Sequence, residues 1–264
     1  MDGRYQARVD GAGVELVRGE GRFTGCEMAA FFSASGTEIR LFTRGGRLLG
    51  REDHEIERVF QTEFEKHVAT HCHATLADLS WDGAQFTAVF EVHGEQKTFT
   101  AGRVLFAIGR FMLQHAASFE VHYLRQKFLK GATDPIDERL AAHGVFSHPE
   151  VASVGFTEEQ LQATGTPYVA VFEEWLASAR AEAMRIDYPR VKLLVSPADH
   201  SILGCHLVRP ESSTLLHQVM MLMRLKNDVR ELANMIYIHP ALNECLLAAA
   251  VKAVGEVRKF QTNH

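Results

Sequence analysis

The sequence predicts an α/β half followed by an α+β half, and three observations carry that reading. Helical and strand periodicities alternate over residues 26–110. The composition shifts near residue 132, around Gly131 and Asp134-Pro135. Beyond that point a group of strands is followed by a closing block of helices. With 264 residues, 46% of them hydrophobic, the chain has the material for two modest cores. Its 28 Lys and Arg against 33 Asp and Glu give a net charge of −5 without a basic block, which argues against nucleic acid or an anionic membrane as partner.

The elements follow in order. Val14 to Val17 reads as a short strand, and Gly19-Glu20-Gly21-Arg22-Phe23-Thr24-Gly25 as a glycine-rich turn. Met28, Phe31 and Phe32 recur at helical spacing between Glu27 and Ser35, with Gly36 as the stop before a strand at Glu38 to Thr43. Ile56, Val59, Phe60, Phe64 and Val68 place a second helix from His54 to Val68. Strands at Ala74 to Trp81, Phe86 to His93 and Gln96 to Thr100 follow, the last two joined by a tight turn at His93-Gly94. Arg103 to Ile108 is a buried type of strand, and His115 to Leu129 reads as helix.

In the second half, strands are expected over Gly144 to Gly155, Tyr168 to Leu176, and from Arg190 and Ile202. Helices are expected from Thr157, over Ser212 to Leu225, Asp228 to Met235 and Leu242 to Val254. Thr157-Glu158-Glu159-Gln160 is a capping box, in which hydroxyl and amide side chains satisfy orphan helix N–H groups. No apolar run approaches the roughly 20 residues of a membrane helix, and Met1-Asp2-Gly3-Arg4-Tyr5 offers no apolar leader, so a cytoplasmic location is expected. Cysteines 26, 72, 205 and 245 show neither a C-x-x-C pair nor a disulfide-dense pattern and read as structural thiols of a reducing compartment. His71-Cys72-His73 has no further ligands at zinc-like spacing, so no metal site is assigned.

Three segments resemble one family. Val104-Leu105-Phe106-Ala107-Ile108-Gly109-Arg110, then Val145-Phe146-Ser147-His148-Pro149-Glu150-Val151-Ala152-Ser153-Val154-Gly155-Phe156-Thr157-Glu158, then Ile238-His239-Pro240-Ala241-Leu242-Asn243-Glu244 occur in the order found in the flavin-dependent pyridine nucleotide-disulfide oxidoreductases. That is the family of dihydrolipoamide dehydrogenase, glutathione reductase, mercuric reductase and mycothione reductase. Ala241 stands where Thr is commonest in the family's His-Pro-x-x-x-Glu segment. The FAD fingerprint and the redox Cys-x-x-x-x-Cys have no match here, and Thr24-Gly25-Cys26-Glu27 runs into its helix without a Gly-x-Gly-x-x-Gly loop. The chain reads as family pieces joined near Gly25/Cys26 and Arg110/Phe111.

The resemblance implies a partial Rossmann-like nucleotide-binding domain followed by an α+β interface domain. Residues 1–25 would be a remnant of an FAD-binding domain, 26–110 a partial NAD(P)-binding domain, 111–142 a connecting helix from the FAD domain, and 143–264 the dimerisation domain. The implied activity is that of an FAD-dependent NAD(P)H:dithiol/disulfide oxidoreductase, most like dihydrolipoamide dehydrogenase. A small-molecule or protein-bound disulfide would be the substrate, and a homodimer would form through residues 143–264. A non-catalytic dimerising fragment and a soluble transhydrogenase-like flavoenzyme are the alternatives. His239 and Glu244 are the catalytic candidates, a thiol proton shuttle working across a dimer interface. Glu27, Gly109 and Arg110 are carried over as cofactor-binding positions. Arg44 and Arg47, after a strand that ends in Thr43 where an NAD enzyme has an acid, favour NADP over NAD.

Overall fold

A computed structural model describes residues 15–19, 23–107, 140–174, 179–186 and 190–263. They divide into two units. The first holds the described residues up to Glu52, those from Glu57 to 107, and Val145–Pro149; the second holds Asp53–Ile56, 140–144 and the described residues from Glu150 on.

In the first unit, β1 (Glu15–Gly19), α1 (Phe23–Ala34), β2 (Ile39–Thr43), α2 (His54–Phe64) and β3 (Ala69–His71) alternate. They are followed by β4 (Ala74–Trp81), β5 (Phe86–Val92), β6 (Glu95–Ala101) and β7 (Arg103–Phe106). One sheet has the order β3-β2-β1-β7 with parallel pairing throughout; β4-β5-β6 forms a separate antiparallel meander. Parallel strands are covered on both faces and so read as continuous apolar runs, which is why Ile39, Leu41 and Phe42 are all buried. Gly36, at φ +87°, carries the left-handed turn that stops α1. His93 and Gly94 both have positive φ, +52° and +83°, the requirement of a two-residue hairpin whose twist matches its strands.

Two departures from the sequence reading stand out here. β1 lies in the middle of the parallel sheet, paired with β2 on one side and β7 on the other, so Glu15–Gly19 is the first strand of this unit and not a remnant of another domain. β1, α1 and β2 form one β-α-β unit. In sequence, Gly19-Glu20-Gly21-Arg22-Phe23-Thr24-Gly25 is one residue longer than a Gly-x-Gly-x-x-Gly loop. β3 is the other surprise: three residues, Ala69-Thr70-His71, are too few to show a period. The helix expected at His115 to Leu129 lies outside the described residues.

The second unit is built on a five-stranded sheet of order β10-β11-β12-β9-β8. Its strands are β8 (His143–Val145), β9 (Val151–Gly155), β10 (Val169–Glu174), β11 (Arg190–Val195) and β12 (Ile202–Val208). The single strand expected over Gly144 to Gly155 is two, divided around the cis His148-Pro149 bond. The helices are α3 (Glu158–Thr164), α4 (Ala179–Ala183), α5 (Ser212–Leu225), α6 (Val229–Asn234) and α7 (Glu244–Asn263). The capping box is present, with Thr157 accepting from the Gln160 N–H and Gln160 accepting from the Thr157 N–H.

Alternation along β11 decides the layers. Val191, Leu193 and Val195 join one core with Leu216 and Val219 of α5, Leu232 of α6 and Leu246, Ala249, Ala253 and Val257 of α7. The other face carries Lys192, opposite His206 of β12, which in turn lies opposite Ser153 of β9. β9 and β12 approach so closely that a Cβ on Gly155 would stand 2.3 Å from the Leu203 carbonyl oxygen, and one on Gly204 would stand 2.1 Å from that of Phe156.

Candidate functional site

The turn before α7 holds the His-Pro segment. The His239-Pro240 bond is cis, and the His239 Nδ1 lies 2.9 Å from Glu244 Oε1. The other carboxylate oxygen of Glu244 accepts the Ala241 N–H at 2.8 Å. That backbone donor first, and the imidazole second, hold the Glu244 carboxyl below its ordinary range. Glu244 thus stays ionised and fixes the ring with Nδ1–H toward itself, leaving Nε2 as the base. The His239 side chain is 72% exposed against 17% for Glu244. An anchored imidazole offered outward can move a proton for a group presented to it.

The two nearest thiol and phenol groups in sequence among the described residues are shielded. Cys245, next in sequence, is buried, its thiol pushed up to about 11 chiefly by that burial, and it receives a hydrogen bond from Arg209 Nη1. Tyr237 donates to the Leu232 carbonyl at 3.2 Å, and burial pushes its hydroxyl up to about 12. Beside His239 in sequence, Ile236 is 94% and Ile238 80% exposed, and on α5 Leu225 and Met221 are also exposed. Among the apolar residues of the helical block, Leu216, Val219 and Leu246 are buried in the core and Leu215, Met220 and Met223 pack against it. Ile236, by contrast, stands out in solvent.

The first unit presents a different arrangement. Gly19 pairs with Thr43 and Phe42 with His71, so the chain leaves β1, β2 and β3 at the same carboxyl edge of the parallel sheet. Order β3-β2-β1-β7 puts the change of direction beside β1, where open parallel sheets bind dinucleotides. Thr43 is buried and takes the Gly45 N–H on its hydroxyl at 3.3 Å, which folds Arg44–Arg47 into a tight turn. Arg44 is exposed. Arg47 donates Nη2 to the Gly50 carbonyl at 3.1 Å, while its shielded Nη1 has no acceptor among the described residues. A shielded donor of positive charge suits a phosphate oxygen, so this edge fits a nicotinamide dinucleotide. No second parallel sheet occurs among the described residues.

Glu27, on α1, accepts the Phe146 N–H at 3.0 Å. Gly109 and Arg110 lie outside the described residues. His71 is drawn into an aromatic cluster, stacked 4.7 Å from Phe42, which itself stacks 3.9 Å from Phe90; burial, then Arg40 and Lys97, keeps its imidazole below the ordinary range. No group of three or more metal-capable side chains occurs among the described residues.

Sequence reasoning missed a buried ionic cluster in the second unit. Lys192, 1% exposed, sits 2.9 Å from Asp53, 2.6 Å from Glu55 and 2.5 Å from Glu158. Tyr168 donates to the other oxygen of Glu158 at 2.8 Å. Burial alone would raise Asp53, but His206 and Lys192 hold its carboxyl below the ordinary range. Burial alone would lower Lys192, but its hydrogen bonds to Glu158, Glu55 and Asp53 raise it. A lysine inside Arg190-Val191-Lys192-Leu193-Leu194-Val195 was the available signal; its carboxylate at position 53 lies 139 residues away and gave none.

Comparison with known proteins matches both units. Residues 16–93 fit the family model described as pyridine nucleotide-disulphide oxidoreductase, and residues 141–250 its dimerisation domain. Dihydrolipoyl dehydrogenase 1, mitochondrial, of Arabidopsis thaliana is 28% identical over 283 residues, covering 89% of this chain and 55% of that protein. Dihydrolipoyl dehydrogenase of Geobacillus stearothermophilus is 24% identical, covering 89% of this chain and 59% of its own. The chain therefore spans little more than half the length of these relatives. Among solved structures, LpdA from Mycobacterium tuberculosis superposes with a TM-score of 0.82 at 19% identity, over 91% of this chain and 61% of that one. The HOCl-induced flavoprotein disulfide reductase RclA from Escherichia coli does so with 0.81 at 20%, over 91% and 65%. With a β1-centred parallel sheet and an antiparallel sheet backed by helices, both recognised by the models of one family, the chain belongs to the pyridine nucleotide-disulphide oxidoreductases.

Proposed function

We propose that the chain works as the nucleotide-binding and interface portion of an NAD(P)H:disulfide oxidoreductase resembling dihydrolipoyl dehydrogenase, with NADP(H) preferred. The His239–Glu244 pair carries this reading: an exposed imidazole held by an ionised carboxylate is fitted to take and return the proton of a thiol. FAD would supply the redox chemistry between nicotinamide and disulfide. This chain's residues hold the nucleotide at the β1–β2 edge and move the proton at His239 Nε2.

The apolar run beside His239 supports a homodimer through residues 143–264. Ile236 and Ile238 are too exposed to contribute to the core of one copy, and a two-fold contact would cover them. Light scattering over a dilution series should show dimers that persist at micromolar concentration, and a monomer at all concentrations would refute the interface. The substrate class, a small or protein-bound disulfide, rests on the same proton shuttle. A reducing, cytoplasmic setting is supported by the free cysteines at 26, 72, 205 and 245. No helix among the described residues is long and apolar enough to cross a membrane.

Titration of the full chain with NADP+ and NAD+ tests the nucleotide half of the proposal. Tighter binding of NADP+, reversed by Arg44→Glu, is expected. Failure to bind either nucleotide would overturn it.

A further inference from the structure

His73 has no part in the sites described so far, yet its surroundings are specific. It follows β3 directly, at the carboxyl edge where the chain also leaves β1 and β2. Its N–H donates to the Gly45 carbonyl at 3.0 Å, which ties it to the turn carrying Arg44 and Arg47. Its imidazole lies against the next residue of that turn: a Cβ built on Gly46 would stand 2.9 Å from both Cε1 and Nε2 of His73. Gly46 therefore makes room for this ring. His73 is held at φ +53°, a left-handed conformation that is strained for a residue with a Cβ. Across the ring, the His93 imidazole lies 5.2 Å away, from a tight turn whose own strain is independent of it. The side chain stays exposed.

A backbone strained to bring an exposed imidazole over a glycine, between two arginines in sequence, is an arrangement for a ligand. Arg47 Nη1 supplies a second observation, because this shielded donor on the same turn lacks an acceptor among the described residues. The ligand chemistry follows from the position. The end of the second strand of such a sheet meets the adenosine ribose, and the group there that suits cationic and N–H donors is a 2′-phosphate.

We infer that His73 is a specificity-determining residue that donates to the 2′-phosphate of NADP(H), acting with Arg47 and Arg44 across the Gly45-Gly46 turn. The inference rests on the nucleotide reading proposed above and adds to it a residue from the turn after β3. Arginine and histidine have different duties here: Arg47 is fixed to Gly50 and supplies charge, while the imidazole closes the site from the side of β3.

Calorimetric titration of the full chain with NADP+ and NAD+ tests it. His73→Gly removes the ring and relieves the backbone, so folding should be kept; His73→Asn also tolerates left-handed φ and is too short to reach over Gly46. In either variant NADP+ should bind roughly tenfold more weakly, the size of one charge-assisted hydrogen bond. NAD+ binding should stay within about twofold. If both nucleotides weaken equally, His73 only supports the turn, and if neither changes, it makes no contact; each result overturns the inference while the wild-type titration leaves the nucleotide reading intact. A wild-type chain that binds neither nucleotide, or prefers NAD+, overturns that reading and this inference together.

Discussion

Lys192 and His239 are both basic side chains set against carboxylates in the second unit, and they end in opposite conditions. Lys192 is 1% exposed and meets three carboxylates, one of them backed by Tyr168. His239 is 72% exposed and meets one, through a single ring nitrogen. Burial makes the first cluster part of the fold, since a charge taken from water must have its partners in place. Exposure leaves the second with an unused nitrogen and therefore with chemistry to offer. The same pairing of ions thus serves architecture or reaction according to how many sides of it the chain itself encloses.

The most severe test of that contrast is His239→Ala in the whole protein. Disulfide turnover should fall by about 10²–10⁴-fold, the usual worth of a positioned acid–base group. Stability should move by less than about 0.5 kcal/mol, as for other exposed positions. Stopped-flow and steady-state kinetics beside urea unfolding would show both; unchanged turnover would erase the functional side of the comparison.

Lys192→Met should do the reverse. Removing one partner of a buried ion cluster leaves carboxylates without a cation, at a cost of about 3–5 kcal/mol. Urea unfolding of the full chain measures it, and a loss below about 1 kcal/mol would mean that water reaches the cluster after all.

Acid sharpens the same point more gently. Because the Asp53 carboxyl is held below its unfolded value, its contribution is fully present above the ordinary aspartate range near ~3.9 and is lost as pH falls through the lower folded value. Stability should decline on acidification through that window, with a shallower slope in Asp53→Asn. Thermal melts between pH 5 and pH 2, in roughly half-unit steps, would show whether the slopes differ. The smallest effect is expected at Thr157→Ala, which removes the cap of α3 beside the cluster and should cost about 1 kcal/mol.

Local chemistry was legible in the sequence wherever a few neighbouring residues decide the outcome. Thr157 and Gln160 state their cap in four letters, and His93-Gly94 states its turn in two. The pairing of His239 with Glu244 is legible only through the family resemblance of its His-Pro-x-x-x-Glu segment, and the two side chains lie 2.9 Å apart. What depends on distant partners was not legible. Glu15–Gly19 has its strand character in sequence, but only pairing with Ile39–Thr43 and Arg103–Phe106 shows to which sheet it belongs. The contact of His73 with Gly46 and the ion pair of Lys192 with Asp53 join residues that no period connects. Apolarity alone also failed to separate Leu216, which fills the core, from Ile236, which stands in solvent.

Glu244 is the first residue of α7, and Cys245, Leu246, Ala249, Ala250, Ala253 and Val257 of the same helix are buried in the core. A helix of 20 residues is a stiff rod of about 30 Å, so the carboxylate that aims His239 is mounted on the end of a beam clamped along much of its length. The imidazole can face solvent and still keep its orientation, because its bearing is set by packing far from water. Loosening the clamp anywhere along the beam would tilt its tip, so a core substitution several turns away would be felt as a change in proton transfer before it was felt as unfolding.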